Sequence, residues 1–229
     1  MATTVLSERR LRRVLLALDV AGAPPSMLSL AVTLAARFEI ELEAMLLAQS
    51  QLSRAATLPF ASEVSLLAGM ERRLSGPQMQ RSLRGLAARV QVMMAELAGP
   101  ARIRWTLQIA AKRGWEELLA ELDEGSLLVS GQDGGYAAAP GARANSAACV
   151  IYDDTAAGQD ALAVAEAVDA GAERIRVASA EPERIARLAA RLLSLRPRTL
   201  FLPAAILADH APVLRPVLAR LGCTVVVVV

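Results

Sequence analysis

The residues with the clearest chemical potential stand where a short apolar run breaks into glycine. Leu127, Leu128 and Val129 are followed almost at once by Gly131, Gly134 and Gly135. Glycine at such a break lets the backbone take positive φ and lets a ligand or another chain segment come close. The apolar run has the continuity of a strand covered on both faces of a parallel sheet. In open α/β sheets the loops at the carboxyl ends of the strands line a crevice where strand order reverses. That crevice needs a second wall, and Asp19, which ends the apolar run over residues 14–18, is the best candidate. Other chemistry is sparse. His210 is the single histidine, beside Asp209 and ahead of Pro212, with no serine or cysteine next to it, so it reads as a helix cap rather than half of a catalytic dyad. One histidine and two separated cysteines, Cys149 and Cys223, make no recognisable zinc site. No G-x-x-x-x-G-K-[ST] loop occurs, and the one lysine, Lys112, follows no glycine run. No catalytic residue and no metal ligand is expected.

The elements that would hold these residues are mostly aliphatic. Of 229 residues 54% are hydrophobic and only 3% aromatic, which gives a sizeable core built from small side chains, as one large domain or two small ones. The net charge of +2 is too modest to argue for a nucleic-acid partner. Arg9, Arg10, Arg12 and Arg13 form the densest basic cluster, a solvated lead-in to the first strand. Each cysteine heads an apolar run and reads as a small buried hydrophobe, which fits a reducing cytoplasm. The apolar stretch behind the first arginines is too short for a signal-peptide core, and no run approaches the ~20 residues that span a bilayer. A cytoplasmic protein with no membrane partner is the expectation.

In chain order the pattern predicts a strand at 14–18, a turn through Pro24 and Pro25, and a helix capped by Ser26 with Met27, Leu30, Ala31 and Leu34 on one face. A strand follows at 40–47. Residues 48–77 read as a long excursion with little regular structure. A long helix striped by Met79, Leu83, Leu86, Val90, Met93 and Leu97 ends at Gly99 and Pro100. Strict alternation over 102–109 predicts a half-exposed edge strand, a short helix at Trp115 to Leu122 packs back, and the strand before Gly131 closes the unit. The second half repeats the grammar in compressed form. A strand at 148–152 ends in Asp153 and Asp154, Thr155 caps a helix that Gly171 ends, and further strands are expected at 175–178, 199–202 and 225–229, with helices after Pro182 and over 211–221. Capping is the preferred role for Asp153, Asp154 and Thr155.

The succession of residues 14–19, the helix from Ser26, Lys112-Arg113-Gly114 before Glu116-Glu117-Leu118-Leu119, and Leu127 to Gly131 resembles the universal stress protein family. Leu58 to Val64, the helix after Pro77, Val150 to Thr155 and Arg196 to Pro203 are similar to tandem bacterial members with a degenerate second repeat. The resemblance implies an α/β fold of two tandem three-layer α/β/α units with mainly parallel sheets, strand order 3-2-1-4-5, the second unit shortened. The expected division is 1–146, a universal-stress-like domain, and 147–229, a degenerate repeat. It also implies a non-catalytic stress-response protein acting by ligand sensing or partner binding. The family's nucleotide-binding members carry an Asp after the first strand and G-x2-G-x9-G-[ST] after the fourth. Asp19, Gly131 and Gly134 match, while Ala144 stands at the third glycine, followed by Asn145 and then Ser146. The resemblance thus implies ATP or another adenine nucleotide at Asp19, Gly131, Gly134, Asn145 and Ser146, as the alternative to a chain that binds none or serves only as a dimerisation scaffold. The all-valine run from Val225 to Val229 must be covered, because an exposed edge of this kind invites aggregation. The expectation is a homodimer or an internal pseudo-dimer through that strand.

Overall fold

The computed structural model describes residues 11–19, 24–47, 62–64, 71–73, 76–110, 115–131, 148–177 and 182–229. In chain order the strands are β1 (Arg13–Asp19), β2 (Glu41–Leu47), β3 (Ser62–Val64), β4 (Glu71–Arg73), β5 (Trp105–Ala110), β6 (Ser126–Gly131), β7 (Ala148–Tyr152), β8 (Glu173–Arg176), β9 (Thr199–Pro203) and β10 (Thr224–Val228). The helices are α1 (Pro25–Phe38), α2 (Gly76–Ala101), α3 (Trp115–Leu119), α4 (Ala156–Val168), α5 (Pro182–Leu195), α6 (Ala204–Asp209) and α7 (Ala211–Leu221).

Eight strands form one sheet in the order β5-β2-β1-β6-β10-β9-β7-β8, and β3 and β4 pair with each other as a hairpin. Within β5-β2-β1-β6 every pair is parallel, and so is every pair within β10-β9-β7-β8. The two blocks meet at β6 and β10, which run antiparallel with Val226 opposite Val129. Leaving the hairpin aside, the first block has chain order 3-2-1-4 and the second 2-1-3-4. The expected mainly parallel α/β architecture is what the chain adopts, as one continuous eight-stranded sheet. The fifth place of the first block is taken by the last strand of the chain, running the other way.

Alternation along the strands feeds two core layers, one on each face of the sheet. Val14, Leu16, Leu18, Val129, Phe201 and Val226 pack with α1, α2 and α4, whereas Leu15, Ala17, Leu128, Leu200 and Val227 pack with α3, α5, α6 and α7. A strand that contributes to both layers must lie inside the sheet, which is why β1, β6 and β10 are central. β10 has both backbone edges occupied within the chain, on β6 and on β9, so this strand offers no free edge to a second copy. β5 is the outer strand, as its alternation suggested: Trp105 and Leu107 face the core while Thr106 and Gln108 are exposed.

Several boundaries depart from the sequence reading. Pro24, not Ser26, occupies the N-cap of α1; its carbonyl accepts from the Met27 and Leu28 amides at 3.0 and 3.2 Å. Pro25 at the first helical position already has the φ a helix needs, so the helix starts earlier. α2 runs through Gly99 and Pro100 to Ala101, because a proline in the final turn removes only one intrahelical bond. Residues 62–64 and 71–73 form two three-residue strands within the 48–77 stretch expected to hold little regular structure, most of which lies outside the described residues. α4 stops at Val168 with Asp169 as its C-cap, and Gly171 donates its amide to Asp169 Oδ1 at 2.9 Å instead of ending the helix. α6 is an additional helix between β9 and α7.

Candidate functional site

The chain leaves β1 towards β2 on one side and later enters β6 on the other, so strand order reverses between β1 and β6. The two strands are paired in parallel from Arg13 opposite Ser126 to Ala17 opposite Ser130. Gly131 is therefore level with Leu18, and Asp19, itself opposite Leu47 of β2, lies one residue further out. With neighbouring strands about 4.8 Å apart, the carboxyl ends bearing Asp19 and Gly131 stand side by side in the middle of the sheet. On its other side Gly131 pairs with Thr224. Gly134, Asn145 and Ser146 lie outside the described residues.

Gly131 has a packing reason to be glycine whatever binds nearby. A Cβ at this position would stand 2.8 Å from Met27 Sδ, and the Met27 side chain is fully buried at the start of α1. The sequence marked Met27 as a core residue of α1, but nothing in it paired this methionine with Gly131 across 104 residues; the sheet order brings them together.

The second block has its own order reversal, between β7 and β9, and the turn after β7 is spent on capping. Asp153 Oδ1 accepts from the Thr155 amide at 3.1 Å and from the Thr155 hydroxyl. Thr155 Oγ1 accepts from the Gly158 amide at 3.0 Å, and Gln159 Nε2 donates to the Asp153 carbonyl at 3.1 Å. These bonds satisfy free amides at the start of α4, as an N-cap should. Asp154 instead receives both of its carboxylate contacts from Arg176 Nη2 on the neighbouring strand, at 2.7 and 2.5 Å. The pair is exposed, and it holds the Arg176 guanidinium above its ordinary pKa through that hydrogen bond and charge. Arg176 had no role in the sequence reading, because only the β7 and β8 register brings it opposite Tyr152, next to Asp154.

His210 sits between α6 and α7. Its carbonyl accepts from the Val213 and Leu214 amides at 3.1 and 2.9 Å, while its side chain makes no capping bond. The cap is thus a backbone one, and the imidazole does not supply it. Among the described residues no group of three or more His, Cys, Asp or Glu side chains is arranged to hold a metal ion. No described helix is long and apolar enough to cross a membrane.

Cys149 and Cys223 are both buried and unbridged, in the core layer beneath α5 and α7. Burial pushes both thiols from 9.0 up to about 12, with the Glu173 carboxylate adding to the effect at Cys149. Thiolate is the reactive form, so neither cysteine should react with an aromatic disulfide reagent at pH 8 in the folded protein. Both should react once urea unfolds it. Rapid labelling of the folded chain would contradict this burial. Since folding raises these pKa values, their contribution to stability is complete below about pH 9 and declines as pH rises towards 12.

No protein-family model matches the chain, and no curated protein matches it. Among solved structures the chain is similar to a universal stress protein from Archaeoglobus fulgidus DSM 4304, with 12% identity, a TM-score of 0.42 and coverage of 93% of this chain and 95% of that one.

Proposed function

We propose that the chain is a non-catalytic, cytoplasmic stress-response protein of universal stress type, acting by sensing a small ligand or binding a partner. Its ligand seat is the crevice at the carboxyl ends of β1 and β6. One observation carries the reading: the order reversal in the middle of the sheet, with Asp19 and Gly131 on adjacent strand ends, the position where open α/β sheets receive ligands. An adenine nucleotide is the first ligand to test, since the resemblance in residues 14–19 and 127–134 implies one. Gly131 is already required by Met27, which makes Asp19 the discriminating residue.

The test is an equilibrium titration of the full chain with a non-hydrolysable ATP analogue, alongside Asp19→Ala. Saturable binding is expected in the wild type, weakened about tenfold or more in the variant, the size of one lost hydrogen bond to a charged group. ATP incubated with the protein should stay intact. No saturation at millimolar analogue would remove the nucleotide and leave partner binding, while steady turnover of ATP would contradict a non-catalytic role.

A further inference from the structure

A groove of about 350 Å³ lies far from that crevice. It is formed by Leu119 at the end of α3, by Ala204, Ala205, Leu207 and Ala208 of α6, and by Arg215 of α7. α6 starts directly after Pro203, and Pro203 is level with Val228 and hence with Leu127 at the beginning of β6. Gly131, by contrast, is level with Thr224 and Thr199, so the groove and the crevice stand at opposite ends of the sheet, about 13 Å apart along the strands. Both blocks contribute to the groove, α3 from the first and α6 and α7 from the second.

Its chemistry is one-sided. The alanines of α6 leave the space open, and Leu119 and Leu207 give it an aliphatic floor. The one charged residue on its wall is Arg215, which is exposed and forms no ion pair among the described residues. A pocket of this size is within the range that holds small ligands. At roughly 30 Å³ for each water-sized group, it accommodates on the order of a dozen non-hydrogen atoms. A cation beside an aliphatic trough of that volume is complementary to one ligand class, an aliphatic chain of about ten carbons ending in a carboxylate.

We infer that this groove binds a medium-chain aliphatic carboxylate, with the chain against α3 and α6 and the carboxylate on the Arg215 guanidinium. A guanidinium and a carboxylate form charge-assisted hydrogen bonds, while the chain gains from leaving water. The site is independent of the crevice, so its success or failure says nothing about nucleotide binding.

Calorimetric titration of the full chain with octanoate and with 1-octanol tests it. Octanoate should bind saturably with one equivalent, about tenfold tighter than octanol. Arg215→Gln, on an exposed position, should reduce octanoate to the level of octanol. Ala208→Leu should fill the trough and weaken both, with an unchanged circular dichroism spectrum showing that each variant is folded. Asp19→Ala should leave octanoate binding as it is. The proposal is overturned if millimolar octanoate does not saturate, if acid and alcohol bind equally well, or if neither groove variant changes binding. It is equally overturned if octanoate fails to bind while Ala208→Leu changes the mass of the protein in solution, because the occupant is then a second copy of the chain.

Discussion

Alanine at position 158 is expected to cost about 3 kcal/mol of folding stability, from overpacking together with disruption of a helix N-cap. The added Cβ would stand 2.1 Å from Asp153 Oδ1 and 2.6 Å from both the Asp153 amide nitrogen and its carbonyl oxygen. Real carbons do not approach so closely. The turn must open, and the bonds from Thr155 to Asp153 and from the Gly158 amide to Thr155 then loosen together. Trimming the carboxylate cannot rescue it. Two of the three contacts are backbone, so Asp153→Ala combined with Gly158→Ala should be no more stable than Gly158→Ala alone. Gly85 is the control: it lies inside α2, and a Cβ added there would meet nothing within 4 Å, so Gly85→Ala should gain up to about 1 kcal/mol from helix propensity. Urea unfolding followed by circular dichroism measures all three variants. A Gly158→Ala midpoint equal to that of the wild type would mean that the turn after β7 is built differently.

The second large effect is expected at the junction of the two blocks. Val226 is fully buried, opposite Val129 on one side and Phe201 on the other. Val226→Asp places a carboxylate in an aliphatic layer with no partner, at a cost of several kcal/mol, comparable with the whole stability of an ordinary domain. The chain should fail to fold cooperatively. Val226→Ala is the measurable version, expected to cost about 2 kcal/mol for the lost burial and the cavity left behind. Because β10 pairs with both blocks, the loss should be felt by both. Trp105 lies on β5, at the outer edge of the first block, so with Trp115 replaced by Phe the tryptophan fluorescence follows that block. In Val226→Ala it should shift by the same amount as far-ultraviolet circular dichroism, in one transition. Fluorescence that stays put while the dichroism moves would show that the blocks unfold independently.

Local pattern was enough for most of the elements. Continuous apolar runs marked β1, β6 and β7 as strands, and the run of β6 as one buried on both faces, because a strand covered twice has no polar side to show. Alternation marked β5 as an edge, and Thr155 announced the start of α4, since a hydroxyl there satisfies an amide that the helix leaves open. Asp19 and Gly131 were legible as a facing pair for the same kind of reason: each follows an apolar run, and strand ends in such sheets converge where order reverses. The start of α1 is not legible locally, because a serine has the chemistry of a cap while a proline one position earlier already sets the backbone. Gly99 and Pro100 do not mark the end of α2, because a helix tolerates proline in its last turn.

Tertiary structure alone decided that the terminal valines enter the middle of the sheet, antiparallel to β6. Five β-branched residues demand a neighbour on each side but do not name it, since backbone pairing carries no sequence code beyond the burial of the two faces. The same holds for Met27 against Gly131, for Arg176 on Asp154, and for the trough between α3 and α6. Each depends on the register of strands or on the packing of helices far apart in the chain, and composition and periodicity describe only what each segment buries, not against which other segment it does so.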